Sequence, residues 1–180
     1  VSPSRDVELG GTVAHISRNY DNDRIFGKPS GLGDTLLWGK YRFSREQNTS
    51  FSVGALVSLP TGDKDDGLGS GNSDVGLFLA AGTRTRGDAF VQAHLGLRSN
   101  GHFKGFGERR DGKTSILIGF GGTVPTAQGF EAFASFALET ERYQGGDSFA
   151  QLTAGGRWTI SGPWRLQAQA GVGFADAAPR

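Results

Sequence analysis

The stretch GLGDTLLWGKYRF, residues 31–43, decides the fold of this chain. Its side chains divide by parity into an apolar set (Leu37, Tyr41, Phe43) and a set rich in charge (Asp34, Lys40, Arg42). Because side chains alternate between the two faces of an extended strand, the stretch predicts a β-strand with one apolar and one charged face. A soluble barrel would bury the apolar face, whereas a membrane barrel would turn it toward lipid.

The composition excludes several classes of protein. The 180 residues are enough for one domain, which we expect to span residues 1–180. A net charge of +1 gives no overall field that would attract nucleic acid. No apolar run approaches the roughly 18 residues of a membrane-spanning helix. The chain has no cysteine, so disulfides, thiolate metal sites and a cysteine nucleophile are excluded.

Alternation and turn signals predict nine β-strands and no helix of useful length. The predicted strands are residues 6–20, 33–44, 50–60, 74–85, 89–99, 114–124, 130–141, 148–160 and 164–175. The 30 glycines, without a collagen-like period, fit a strand-rich fold with many turns and small wall residues. The sequence therefore predicts an all-β fold.

The connections between the predicted strands alternate in length. Long links at residues 21–32, 61–73 and 100–113, with a shorter one at 142–147, alternate with tight ones at 45–49, 86–88, 125–129 and 161–163. Long and short connections therefore lie at opposite rims of the sheet. This asymmetry is typical of antiparallel up-and-down transmembrane β-barrels of the bacterial outer membrane.

Aromatic side chains cluster beside the tight connections, as a membrane–water interface selects. The predicted aromatic girdle consists of Tyr41, Phe43, Phe51, Phe90, Phe130, Trp158 and Trp164. The predicted strands also run to about ten residues, the length that crosses a bilayer at a tilt. We therefore expect Leu37, Tyr41 and Phe43 to face lipid, and the charged residues of the opening stretch to face the lumen.

The direction of the last predicted strand bears on the strand count. It ends at the rim of long connections, so one further strand would return the chain to the rim of short ones. Barrels of this class have an even number of strands. We expect 10–12 strands in a complete barrel, with nine of them in this sequence and the closing C-terminal strand lacking.

Three segments resemble a known family of outer-membrane channels, labelled by the MetA pathway of phenol degradation. They are PSGLGDTLLWGKYRF (residues 29–43), VSLPTGDKDDGLGSGNSD (57–74) and GVGFADAAP (171–179). The resemblance spans most of residues 29 to 179 and implies a twelve-stranded barrel for uptake of aromatic or other hydrophobic compounds. We expect the sequence to differ from the family in lacking its N-terminal portion and its final aromatic strand.

Strand parity predicts which charged side chains line the lumen. The predicted lumen and selectivity residues are Asp34, Lys40, Arg42, Arg84, His94, Arg98, Glu131, Glu139, Arg157 and Arg165. Opposed charges of this kind either set the selectivity of a pore or cross-link the wall of a narrow barrel. Lys40, Arg42, Arg157 and Arg165 lie toward the short connections, where an anion-attracting belt is one interpretation. Apolar residues of the same parity, such as Trp38 and Phe133, suit a hydrophobic substrate.

Metal binding and catalysis have weak support in the sequence. Asp63, Asp65 and Asp66 offer hard oxygen ligands, but their spacing fails the EF-hand pattern, and a polar turn-rich loop explains them better. Of the three histidines only His94 has the parity to face inward, and no spacing suggests a nucleophile and an orienting group beside it. We expect no enzyme activity, no metal and no cofactor.

Two functions remain open from the sequence. The first is a passive outer-membrane channel for small, hydrophobic or aromatic solutes, in contact with membrane lipid and lipopolysaccharide. The second is a structural barrel that sheathes a partner protein in its lumen, such as a secretion substrate or an electron carrier. Both need the same alternation, so occupancy of the lumen separates them.

Overall fold

The computed structural model describes residues 6–17, 20–22, 25–27, 29–46, 48–105, 108–161 and 164–173. All regular structure in these ranges is β-strand, and every strand pair is antiparallel. Among the described residues there is no helix long and apolar enough to cross a membrane.

Fifteen strands are present in the described ranges. They are β1 (Val7–Thr12), β2 (His15–Ser17), β3 (Tyr20–Asn22), β4 (Ile25–Gly27), β5 (Ser30–Leu32), β6 (Thr35–Glu46), β7 (Thr49–Leu59), β8 (Asp74–Arg84), β9 (Phe90–Ser99), β10 (Phe103–Gly105), β11 (Glu108–Arg110), β12 (Thr114–Ala127), β13 (Phe130–Glu139), β14 (Phe149–Ser161) and β15 (Trp164–Gly173).

Nine of these strands form one large curled sheet, a half-barrel. Its order is β1-β6-β7-β8-β9-β12-β13-β14-β15, so each strand pairs with the preceding and the following strand of the sheet. Strands β1 and β15 are the edges, and in the described part of the chain they do not pair with each other. The curvature brings residues of β1 and β14 into the wall of the same cavity.

Eight of the nine predicted strands agree with strands of the large sheet to within a few residues, and the all-β prediction is confirmed. The predicted strand 6–20 is divided, because only Val7–Thr12 (β1) belongs to the large sheet, while His15–Ser17 (β2) pairs with β5 and Tyr20 begins β3. The main differences lie in two predicted long links. Residues 21–32 contain β4 and β5, which continue the β1–β6 hairpin beyond the sheet through the β2–β5 and β3–β4 pairs. In the second link, Phe103–Gly105 (β10) pairs with Glu108–Arg110 (β11). Both segments are too short and too polar to give a clear period-2 signal.

The two faces of the large sheet differ in polarity. Among the described residues, 23 large apolar side chains are exposed, including Leu77 and Leu95, whereas only Leu68 and Ala150 are buried apolar residues. The buried polar residues include Ser52, Asp74 and Ser115. The convex face is thus apolar and the concave face polar, the reverse of a soluble half-barrel that buries its apolar face.

Rings on the concave face lie over glycines of neighbouring strands. A Cβ atom built on Gly54 would overlap the ring of Phe78, and one built on Gly10 would overlap the indole of Trp38. His94 covers Gly119 in the same way. These glycines leave room for a ring to lie against the wall, which explains part of the high glycine content.

Candidate functional site

The strand register places the predicted lumen residues on one face. Directly opposed residues in adjacent strands point to the same side of a sheet. One row of such pairs runs through Glu8, Lys40, Gly54, Phe78, Gly96, Leu117 and Glu139. A second row joins Glu131, Arg157 and Gln167. The concave face is therefore the candidate functional site.

A cavity of about 600 Å³ occupies the concave face toward the short connections. Its wall includes Trp38, Lys40, Gln92 and Arg157, which come from β6, β9 and β14. Aromatic, amide and cationic groups thus line the same space. Such a wall can contact both the apolar and the polar part of a small solute.

Each of the three basic residues in this cavity has an acidic neighbour. Lys40 Nζ lies 2.8 Å from Glu8 Oε2, and Arg42 Nη2 lies 2.9 Å from Asp6 Oδ1. Arg157 Nη1 lies 3.5 Å from Glu131 Oε2, and its Nε and Nη2 donate to Gln167 at 3.2 and 3.1 Å. The predicted cationic belt is therefore partly neutralised, while Arg165, opposite Thr159, is exposed.

A buried ionic cluster lies at the opposite rim, where the long connections leave the sheet. Its centre is Asp74, which is 1% exposed. Arg98 Nη2 donates to Asp74 Oδ2 at 2.8 Å, and Arg142 pairs with the same oxygen. The backbone N–H of Gly101 donates to Asp74 Oδ1 at 2.9 Å. One carboxylate thus joins β8 and β9 to the connections that follow β9 and β13.

Glu139 closes this cluster on the side of β13. Ser115 Oγ donates to Glu139 Oε1 at 2.8 Å, and Asn100 Nδ2 donates to Ser115 Oγ at 3.0 Å. Arg142 Nε lies 3.4 Å from the same Glu139 oxygen. The cluster therefore ties four strand ends together through charge-assisted hydrogen bonds.

Tyr143 packs beside the cluster in the connection after β13. Its ring lies 5.6 Å from that of Phe103, and the Arg142 guanidinium lies 5.7 Å from its centroid. Burial raises the pKa of the Tyr143 hydroxyl. The aromatic contact attaches the β10–β11 hairpin to the same rim.

The connection of residues 60–73 folds over Asp34. The Asp34 carboxylate accepts from the backbone N–H of Gly62 at 3.1 Å, and from the N–H and Oγ of Ser70 at 2.8 Å each. Leu68 of this connection is 4% exposed and lies against Gly31. Asp34, a predicted lumen residue, thus anchors the connection of residues 60–73 to the wall.

The carboxylates of the weak metal candidate have other partners. Asp63 Oδ1 accepts from the backbone N–H groups of Asp65 and Asp66 at 2.8 and 3.2 Å. Asp65 pairs with Lys64 at 2.7 Å. Among the described residues, no group of three histidine, aspartate or glutamate side chains is arranged to hold a metal ion.

The histidines occupy three separate places. The His94 ring lies edge-on to Phe78, with centroids 6.4 Å apart. His15 Nε2 lies 3.4 Å from Ser30 Oγ, and His102 Nδ1 lies 3.1 Å from Asp111 Oδ1. His15 thus has a polar partner across the β2–β5 pair, and His102 has one beside the β10–β11 pair. His94 packs on the wall of the large sheet.

The predicted girdle residues divide between the faces. Tyr41, Phe43, Phe51 and Trp158 are exposed on the convex face, where Phe130 packs against Trp158 with ring centroids 4.4 Å apart. Phe90 differs from the prediction, because it pairs opposite Arg84 and lies in the wall of the concave cavity. The side chain of Trp164 lies outside the described part of the chain.

The sequence did not identify the centre of the ionic cluster. Asp74 is not among the predicted lumen residues, although it begins β8 with the parity of the concave face. Arg142 and Asn100 lie in connections, where alternation gives no direction for a side chain. Only the folded rim brings these groups to Arg98.

Comparison with known proteins gives no match. No protein-family model matches the chain, and no curated protein is significantly similar to it.

Proposed function

We propose that this chain forms the wall of a channel in the bacterial outer membrane, through which small hydrophobic or aromatic solutes pass down their gradient. The observation that carries the proposal is the polarity of the sheet, with an apolar convex face and a polar, charged concave face. Lipid is the environment that stabilises such a convex face, because exposed apolar area is unfavourable in water.

The strand lengths support the same proposal. The eight strands of the large sheet from β6 to β15 have 10 to 14 residues. About 9–11 residues at a tilt cross the hydrocarbon core of a bilayer. In this arrangement lipid contacts the convex face, lipopolysaccharide contacts the rim of long connections, and solute follows the concave face.

The mechanism needs only the residues of the wall. A solute passes the ionic cluster at the outer rim and then the cavity lined by Trp38, Lys40 and Arg157. The aromatic rings contact its apolar part, and the paired charges replace part of the water around its polar groups. The chain itself supplies no energy coupling, so the direction follows the gradient.

Conductance of the full-length protein in planar bilayers tests this proposal. We expect discrete current steps, and a shift toward cation selectivity in Lys40→Glu and Arg157→Glu, because each change reverses a charge beside the cavity. Arg109→Glu is the matched control, since Arg109 is exposed on the outer β10–β11 hairpin. Its selectivity should match that of the unmodified protein.

A folded barrel without conductance would contradict the channel. If that barrel copurified with a second protein, the structural sheath would be the better explanation. Selectivity that changed equally in all three variants would contradict the assignment of the concave face as the solute path.

A further inference from the structure

A pocket of about 290 Å³ lies at the rim of short connections, next to the cavity of the concave face. Three arginines, Arg42, Arg45 and Arg84, line it together with polar groups of β7 and the ring of Phe90. Arg84 is held beside the start of β7, where its backbone N–H donates to the carbonyl oxygen of Asn48 at 2.9 Å. The pocket therefore gathers three guanidinium groups from two strands.

A β-bulge explains how two arginines of one strand reach the same pocket. In a regular strand, residues three apart point to opposite faces. The register between β6 and β7 shifts between Arg42 and Ser44, so Arg42 opposes Ser52 and Arg45 opposes Ser50. Both serines belong to the concave face. The bulge thus turns Arg45 away from the convex apolar face and into the pocket.

The positive charge in the pocket is only partly compensated. Arg42 pairs with Asp6, and Arg84 lies 4.0 Å from Asp88 in an exposed contact. In the described part of the chain, no carboxylate lies within ion-pair distance of Arg45. Thr49 and Ser50 also line the pocket, but their hydroxyls donate within the sheet, to Thr83 Oγ1 at 3.1 Å and to the Gly82 carbonyl oxygen at 3.5 Å. The guanidinium groups are therefore the donors that the pocket offers to a ligand, and guanidinium groups around one space bind a carboxylate.

Phe90 gives the pocket an apolar wall. The ring lies over Gly82, since a Cβ atom built there would overlap it. Phe90 also belongs to the wall of the larger cavity, so the two spaces share one side. A ligand with a carboxylate at the arginines can therefore rest its apolar part on Phe90 and face the channel.

We propose that this pocket is a binding site for small organic carboxylates, which selects anions among the solutes of the channel. The proposal rests on the proposed function, because it places the site at one end of the solute path. Arg45 and Arg84 bind the carboxylate, and Phe90 contacts the carbon chain. Arg42, held by Asp6, adds positive charge at the inner end of the pocket.

Binding of butyrate and 1-butanol to the full-length protein in detergent micelles, followed by NMR titration, tests the site. The two probes differ in charge but have the same carbon chain. We expect butyrate to bind at least 10-fold more tightly, and Arg45→Gln or Arg84→Gln to weaken it about 10-fold, as expected when one charge-assisted hydrogen bond is lost. Binding of 1-butanol should stay the same.

Arg86→Gln is the matched control, because Arg86 is an exposed arginine of the adjoining turn and does not line the pocket. Equal loss of butyrate binding in this variant would overturn the site in favour of a general surface field. Inorganic phosphate that competes as strongly as butyrate would overturn the preference for organic anions. Butyrate binding unaffected by both pocket variants would overturn the proposal itself.

The butyrate titration and the conductance measurement together distinguish a failure of the binding site from a failure of the channel. Conductance without butyrate binding would remove the site and leave the channel. Butyrate binding lost in Arg45→Gln, in a folded protein that does not conduct, would support the site and contradict the channel. Circular dichroism of each variant establishes that it retains its β-structure.

Discussion

Single residues hold the concave wall together through two kinds of contact. Asp74 joins Arg98 and Arg142 at the rim of long connections. Glycines such as Gly54 leave space for a ring from a neighbouring strand, here the ring of Phe78. Both contacts depend on one side chain or on its absence, so single substitutions can test them.

Asp74→Asn should destabilise the fold by about 3 kcal/mol, because it leaves the guanidinium of Arg98 without its closest counter-charge in a buried position. Arg98 is 12% exposed, so water cannot replace the lost carboxylate efficiently. Urea unfolding of the refolded protein measures the change. Asp65→Asn is the control, since its pair with Lys64 is exposed and contributes less than about 1 kcal/mol. If Asp74→Asn were as stable as Asp65→Asn, the ionic cluster would not stabilise the rim.

Gly54→Ala should also destabilise the protein, by about 1–3 kcal/mol, because the added methyl group overlaps the Phe78 ring. The same urea titration measures it. Gly87→Ala adds a methyl group where no atom lies within 4 Å and should change little. Phe78→Ala should lower the free energy of unfolding less in the Gly54→Ala variant than in the unmodified protein. If the free-energy changes of the two substitutions were strictly additive, that result would contradict the contact between Gly54 and the Phe78 ring.

At the scale of elements, local irregularities of the strands position the functional groups. The bulge in β6 brings Arg45 to the concave face, and the hairpin β2–β5 gives Leu68 a surface to pack against. The connection of residues 60–73 is therefore a folded element with its own buried residue and hydrogen bonds. Asp34 is its anchor.

Asp34→Ala should release this connection, because three donors at Gly62 and Ser70 lose their acceptor. We expect faster amide hydrogen exchange at both residues, by about 10-fold or more, which corresponds to the loss of a hydrogen bond to a charged group. Mass spectrometry of exchanged peptides measures it. Asp66→Ala removes a carboxylate of the same connection and serves as control. Unchanged protection at Ser70 would contradict the anchor.

At the scale of the whole molecule, the arrangement of apolar side chains determines the solvent that the protein requires. Leu95 is 59% exposed in the middle of β9, and Val91 is 48% exposed near its end. In water such positions tolerate substitution, whereas in lipid a charge becomes more unfavourable with depth. The two environments therefore predict different responses.

Leu95→Arg should destabilise the protein folded in lipid vesicles by about 2–4 kcal/mol, whereas Val91→Arg should cost about 1 kcal/mol or less, since it lies nearer the interface. Urea titrations in vesicles measure both. Both residues lie on the same strand and the same face, so their strand environment is matched. Equal costs would contradict a membrane-spanning orientation of β9.

Much of the fold could be predicted because period-2 alternation and turn residues are local signals. Eight of the nine strands of the large sheet agree with the predicted ones to within a few residues, whereas β1 covers only the first part of the predicted strand 6–20. Parity assigns Lys40 and Arg157 to the same face. Two of the failures lie where parity gives no direction, because Arg45 follows a bulge and Arg142 lies in a connection. Phe90 has the parity of His94 and lies on the concave face, whereas its place beside a tight connection predicted the aromatic girdle.

The sequence by itself determined that the chain is all-β, antiparallel and two-faced, because each of these properties follows from residues near one another in the chain. Only the tertiary structure decided that Asp74 meets Arg98 and Arg142, that Asp34 anchors residues 60–73, and that Arg45 joins Arg42 and Arg84. These contacts depend on sheet curvature, register and the paths of connections. Such properties are set by the free energy of the whole fold and leave no periodic signal in the sequence.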